Sequence, residues 1–208
     1  MALELPTEIK QAIGDATAQL KAKCRPGRDG GVRWSRPEGM HVTLKFIGHA
    51  IGDAETERLD ALRAALGTVR SPGPVEMRFR GVGFFPDARR PQVLWCGVEA
   101  SGNLAQLAAG IERVLEPAGI PGESRAFVPH LTLARFRPRR DDARKRDSRG
   151  TTAASSGVDE LVRAAAEMAS IDFGSAHETE FHLFESILKP AGAEYRKIET
   201  YSFWKESA

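Results

Sequence analysis

The chain reads as an α+β protein built from two similar halves. Three observations carry that reading. Some segments place apolar residues at helical spacing, and others alternate them as strands do. A tetrapeptide pattern, His-x-Thr-Leu, occurs once in each half and each time opens a strand-like run. The 208 residues are 41% hydrophobic, enough to bury a core as one domain or as two closely joined lobes.

In order along the chain, Ala2-Leu3-Glu4-Leu5 is a short extended start. Pro6 occupies the first turn of a helix reaching about Lys23, with Leu5, Ile9, Ile13 and Leu20 on one apolar face. Arg25 to Gly31 break it, Val32-Arg33-Trp34 is a short extended piece, and a motif strand is predicted from about Met40 to Ile47. Asp53 is placed to cap a helix carrying Leu59, Leu62 and Leu66, which Pro72 and Pro74 close. Val75 to Gly83 and Gln92 to Glu99 read as antiparallel strands around a Pro-Asp turn. Ser101 introduces a helix whose inner face is Leu104, Leu107, Ala108, Ile111 and Leu115, and Gly119 and Pro121 end it.

The second motif strand begins at His130. Residues 137–157 then read as a polar, flexible insertion, in which Arg139, Arg140, Arg144, Lys145, Arg146 and Arg149 mix with Asp141, Asp142 and Asp147. A helix bearing Val158, Leu161, Val162, Ala165 and Met168 follows. Strands from about Glu178 to Leu188 and Glu194 to Phe203 complete the chain.

Composition narrows the function classes. A net charge of only +2 and a pI near 8.6 exclude a general polyanion binder, so any grip on nucleic acid has to come from local basic residues. No apolar run approaches the roughly 20 residues of a membrane span, so no membrane partner is expected. Cys24 and Cys96 lie far apart, and Cys96 sits within Val93-Leu94-Trp95-Cys96-Gly97-Val98 as an apolar core residue. Reduced thiols and a cytoplasmic setting are the expectation.

The chemistry lies in the duplicated pattern, His41-Val42-Thr43-Leu44 and His130-Leu131-Thr132-Leu133. With five histidines and average composition, two chance matches have an expectation of about 0.002, so coincidence is the weaker explanation. On a strand His41 and Thr43 share one face and Val42 and Leu44 the other, and likewise for the second copy. Each copy therefore offers an imidazole that titrates near neutrality beside a hydroxyl that can donate to an anionic oxygen. Zinc needs three or four His, Cys or carboxylate ligands, which this pattern does not supply, so no metal is expected. No Gly-x-x-x-x-Gly-Lys-Ser/Thr stretch is present to hold a nucleoside triphosphate, and no cofactor is expected. His49, His177 and His182 lack a following Thr-Leu and read as surface or structural residues.

These residues resemble the 2H phosphoesterases, and within them the RNA 2′,3′-cyclic phosphodiesterases, also described as 2′-5′ RNA ligases. The likeness spans nearly the whole chain. It rests on Leu3-Glu4-Leu5-Pro6, His41 to Gly48, Phe85-Pro86, Pro91-Gln92-Val93-Leu94-Trp95, His130 to Arg135, Glu185-Ser186 and Tyr195, in that order. It implies a single bilobal domain over residues 1–208, pseudo-twofold, with antiparallel sheets lining a central cleft and helices outside. Both His-x-Thr units then lie in that cleft, no metal takes part, and a cyclic phosphate on an RNA terminus, such as a tRNA half, is opened to a 2′-phosphate by a monomeric enzyme. Family members usually begin with a full strand of about six residues, so the first strand here is expected to be short.

The site residues follow from the chemistry and from the likeness together. Hydrolysis of a cyclic phosphodiester needs a water deprotonated on one side of phosphorus and a ribose oxygen protonated on the other. The working assignment makes His41 the proton donor and His130 the acceptor, although the near symmetry of the motifs leaves the reverse open. Thr43 and Thr132 hold the non-bridging oxygens. Each histidine should have its second ring nitrogen fixed by a backbone carbonyl or a carboxylate.

Arg135 corresponds to an arginine that many members carry after the second motif. Its parity relative to Thr132 sends it to the opposite face of a regular strand, so it contacts phosphate only if a bulge or strand end re-aims it. Lys45 has the parity to follow Thr43 into the cleft, or else is a cation at a strand's exposed end. Phe46, Phe84, Phe85 and Trp95 suit a core, with Phe85 the first candidate to stack a base at the rim. Two other readings stay open: a binding module for RNA ends with little turnover, and a phosphodiesterase for small cyclic nucleotides or 2′-5′ linkages.

Overall fold

The computed structural model describes residues 1–24, 31–48, 56–136, 156–189 and 192–204. Among the described residues, nine strands form two antiparallel sheets. The first has four strands in the order β3 (His41–Thr43), β1 (Ala2–Glu4), β8 (Glu180–Lys189), β9 (Gly192–Ser202). The second has five, in the order β2 (Val32–Trp34), β6 (His130–Phe136), β5 (Val93–Ala100), β4 (Val75–Phe85), β7 (Asp172–Glu178). The helices of the described residues pack on them: α1 (Thr7–Lys23), α2 (Thr56–Leu66), α3 (Gly102–Leu115) and α4 (Ser156–Glu167). Among the described residues, no helix is long and apolar enough to cross a membrane.

Periodicity placed the helices well because each buries one stripe. In α3 the residues that go inside are Leu104, Leu107, Ala108, Ile111 and Leu115, the expected set, and in α1 Ile9, Ile13 and Leu20 are joined by Ala16 and Thr17. Helix α1 lies against α4 and β7, and α3 against α2 and β4. One continuous apolar cluster runs through both sheets, from Leu3, Val42 and Phe181 in the first to Phe79, Leu94 and Leu131 in the second. Cys96 is fully buried in it, and burial pushes its thiol up to about 12, which keeps it unreactive. The β4–β5 hairpin turns at Asp87, whose Oδ1 accepts the backbone N–H groups of Arg89 and Arg90 at 2.8 and 3.0 Å.

Four points differ from the sequence reading. The halves of the chain are not the sheets: β2 crosses from the N-terminal half into the second sheet, and β8 and β9 return from the C-terminal end to the first. Each sheet still carries one His-x-Thr unit. The first motif strand, His41–Thr43, is much shorter than expected. It is an edge strand whose one neighbour, β1, offers a ladder only from Ala2 to Glu4, so pairing stops at Ala2 opposite Thr43. Strand β7 was missed because its alternation is broken. Its register against β4 slips between Phe79 and Arg80, and Gly174 takes a left-handed φ of +105° that a side chain would resist. Finally, the expected insertion at 137–157 overlaps the start of α4 at Ser156 and otherwise lies outside the described residues, as do Asp53 and His49.

Candidate active site

Strand β3, at the edge of the first sheet, and β6, next to the edge of the second, approach with Cα atoms within 8 Å. Between them opens a cavity of about 510 Å³ whose lining includes His41, Thr43, Thr132 and Arg135. Val42 and Leu44 turn inward and are buried, as are Leu131 and Leu133, so the apolar members of each motif anchor the strand while the polar members face out.

The two imidazoles are held alike. His41 Nδ1 lies 2.8 Å from the Gly39 carbonyl and His130 Nδ1 lies 2.8 Å from the Val128 carbonyl, each two residues back along the chain. A carbonyl only accepts, so each Nδ1 carries the proton and donates it, and each Nε2 is left to exchange one. This is the second-nitrogen anchor the chemistry called for. In the first motif it comes from the short 3₁₀ turn Pro37–Gly39, which delivers the Gly39 carbonyl just before β3.

The surroundings differ. His41 is flanked by Phe184, nearly parallel at 5.8 Å, and by Tyr195, edge-on at 4.5 Å. Burial among these groups lowers its pKa below the ordinary 6.5, an effect the Gly39 hydrogen bond opposes. His130 is met edge-on by Phe85 at 5.0 Å, which in turn rests on Trp95 at 5.3 Å. Gly83 permits this stack, since a Cβ there would lie 2.4 Å from the Trp95 ring. His130 stands on the same face of β6 as Thr132, two residues away, and is not itself among the groups lining the cavity.

Arg135 lines the cavity despite its parity, and the reason is a bulge. Trp95 pairs with Thr132 but Leu94 pairs with Ala134, leaving Leu133 as the extra residue, so both Leu133 and Ala134 point inward and Arg135 returns to the outer face. Lys45 goes the other way and corrects the cleft reading. The strand has ended before it, its side chain is 1% exposed, and its Nζ donates to Glu112 Oε1 at 3.0 Å and to the Pro121 carbonyl at 2.8 Å. That bond also holds the Glu112 carboxyl below the usual carboxylate range.

Phe85 packs edge-on against His130 and, like it, is not among the residues lining the cavity. The exposed aromatic of the rim is Phe46, at 67% exposure, joined by Tyr195 at 39%. Sequence reasoning also passed over Arg33, Trp34 and Arg36 as site residues, although all three line the cavity. Alternation across β2 could have flagged Arg33, because Val32 beside it is buried. Of the cavity's lining residues three are arginines and none is a carboxylate, so the site is built for an anion. Among the described residues no three His, Cys, Asp or Glu side chains gather where they could hold a metal ion. His182 is an internal residue bonded to Thr200 at 2.9 Å, and His177 is exposed.

Comparison with known proteins agrees with this geometry. Residues 6–166 match the model of the 2′-5′ RNA ligase superfamily. Proteins named RNA 2′,3′-cyclic phosphodiesterase are similar over much of the chain. The one from Thermus thermophilus is 37% identical over 64% of this chain and 66% of its own length, and the one from Archaeoglobus fulgidus is 30% identical over 82% and 84%. Among solved structures, TT0787 of Thermus thermophilus superposes with a TM-score of 0.63 at 27% identity, covering 97% of this chain and 95% of its own. E. coli LigT complexed with 3′-AMP shares the fold at a TM-score of 0.65 and 23% identity, covering 98% and 96%. Two edge-facing antiparallel sheets, a His-x-Thr unit on each, and a family match over three quarters of the chain place this protein in the 2′-5′ RNA ligase superfamily, the 2H phosphoesterases.

Proposed function

We propose that the chain hydrolyses 2′,3′-cyclic phosphates at RNA termini to 2′-phosphomonoesters, without a metal, by acid–base catalysis between its two motif histidines. The observation that carries the reading is the matched anchoring of both imidazoles. Each ring is locked through Nδ1 on a backbone carbonyl, which leaves its Nε2 to exchange a proton; His41 lines the arginine-rich cleft with Thr43 and Thr132, and His130 stands on the same face of β6 as Thr132. Its likeness to proteins bearing that activity in their names supports the substrate class.

In this mechanism His130 Nε2 takes a proton from water as the water oxygen bonds to phosphorus, and the P–O3′ bond breaks in line. His41 Nε2 gives its proton to the departing O3′, and the phosphate stays on O2′. Thr43 and Thr132 donate to the non-bridging oxygens, and Arg135 balances their charge. Because burial disfavours a charged His41 in the free protein, the phosphate anion itself is the group that brings the acid to its protonated form on binding. Phe46, exposed at the rim, is the surface on which the terminal base stacks.

The test is to incubate the protein with an RNA ending in a 2′,3′-cyclic phosphate in the presence of EDTA. The expected product is a 2′-phosphate end. Tight binding without turnover overturns the enzyme reading in favour of an RNA-end binding module, and turnover that EDTA abolishes overturns its metal independence.

A further inference from the structure

We propose that Arg33, set across the strand ladder from Arg135, forms a second phosphate subsite that receives the phosphodiester on the 5′ side of the terminal nucleotide, so that the cleft is fitted to oligonucleotide ends over mononucleotides. The inference rests on the phosphodiesterase reading for its substrate and goes beyond it in naming where the rest of the strand runs.

The register of β2 against β6 puts Arg33 directly opposite Arg135, and both are exposed on the cavity side. Like charges facing each other across a sheet repel, and the arrangement is ordinarily relieved by a nearby carboxylate. None relieves this one: among the described residues neither guanidinium has an ion-pair or hydrogen-bond partner, and the cavity lining contains no acid. The neighbouring arginine behaves differently: the Lys189 hydrogen bond is the main cause that holds the Glu194 carboxyl below the usual range, and the nearby Arg36 charge adds a smaller share.

Charge matching then points to the ligand. A cyclic phosphodiester carries a single negative charge, which Arg135 and the two threonine hydroxyls already satisfy. Arg33 is one cation too many for a mononucleotide. It suits a ligand with a further anion one nucleotide away, and an RNA strand has one there. The bulge at Leu133 is what puts Arg135 on the outer face, since in an unbroken alternation from Thr132 it would fall on the inner one and could not share a face with an outward Arg33.

Kinetics on two substrates test the subsite. The specificity constant kcat/KM is measured for a nucleoside 2′,3′-cyclic phosphate and for a dinucleotide ending in the same group, with the native protein, Arg33→Gln and Arg33→Lys, across a range of salt. The native protein should prefer the dinucleotide by about tenfold, the worth of one charge-assisted contact. Arg33→Gln should bring that ratio close to one through KM, and Arg33→Lys should restore part of it. The slope of log kcat/KM against log salt for the dinucleotide should become shallower by about 0.7, the share of one phosphate contact on a single strand.

A native protein with no dinucleotide preference overturns the proposal, as does an equal loss on both substrates in Arg33→Gln. If neither substrate turns over, the phosphodiesterase reading falls, and the subsite is judged alone. A titration with a dinucleotide bearing a terminal 2′-phosphate against a nucleoside 2′-phosphate supports it if the affinity ratio depends on Arg33 and sinks it if the ratio does not.

Discussion

The two motif strands carry the same four-residue pattern and make opposite use of the cation that follows. In the first, Lys45 has the alternation that should carry it into the cleft, yet it is buried against Glu112 and Pro121. In the second, Arg135 has the wrong alternation and lines the cavity. Side-chain parity is a property of an unbroken ladder, and neither ladder is unbroken: β3 stops at Thr43, two residues short of the lysine, and β6 takes an extra residue at Leu133. The histidines and threonines escape this uncertainty because they sit within three residues of one another on the part of each strand that stays paired.

The largest effects should come where the strands agree. His41→Ala and His130→Ala are each expected to lower turnover of an RNA 2′,3′-cyclic phosphate by about 10² to 10⁴, with KM little changed. The double variant should be scarcely worse than the poorer single one, because acid and base act in one step. Near-native turnover in either single variant would break the likeness between the two motifs at its centre.

Next come the groups proposed to bind charge and not protons. Thr43→Ala and Thr132→Ala should each cost about tenfold to a hundredfold, and Arg135→Ala a loss in the same range. The comparison is sharpest between Arg135→Ala and its counterpart in the first motif, since a mere surface cation at position 135 predicts no loss at all.

The environments of the two rings separate their roles through pH. Burial against Phe184 and Tyr195 lowers the His41 pKa below 6.5 in the free protein. If His41 is the acid it must be protonated to act. The specificity constant should then fall about tenfold per unit as pH rises above that lowered pKa. In the complex the phosphate anion raises it, so the falling limb of kcat should lie at higher pH than that of kcat/KM. Replacing Tyr195 by Leu lets water reach the ring, which relieves the desolvation and should move the falling limb of kcat/KM upward, toward the ordinary 6.5. Should the rising limb move instead, His41 is the base and the division of labour is reversed.

How much of this was legible in the sequence follows from how local each cause is. Helical faces need only their own spacing, and so α3 buries the five residues its periodicity singles out. The histidine–threonine pairs need only a short stretch of intact strand. Strand pairing is another matter. That β2 leaves its half of the chain to lie beside β6 depends on long-range contacts that no local pattern encodes, and Arg33 was overlooked as a site residue for that reason. Phe46 and Phe85 exchanged expected surroundings in the same way. Phe46 lies past the end of β3, where nothing covers it, whereas Phe85 ends a paired strand and meets Trp95 and His130.

The smallest expected effect on catalysis belongs to Lys45, and it decides whether the contrast with Arg135 is real. Its side chain is 1% exposed, while Glu112 and Glu123 are 31% and 54% exposed. Lys45→Met keeps the aliphatic stem and removes the charge. The two carboxylates are open enough for water to take over from the ammonium, so the cost should fall below that of breaking a fully buried pair, about 1 to 2 kcal/mol. For a chain of this length that lowers Tm by about 2 to 8 °C. Calorimetry should show that shift while kcat/KM on the cyclic phosphate changes by less than about threefold, the ordinary reach of a side chain that touches no substrate. A hundredfold loss of activity with an unchanged Tm would mean that Lys45 leaves Glu112 to meet the phosphate. The two strands would then supply matching cations after all.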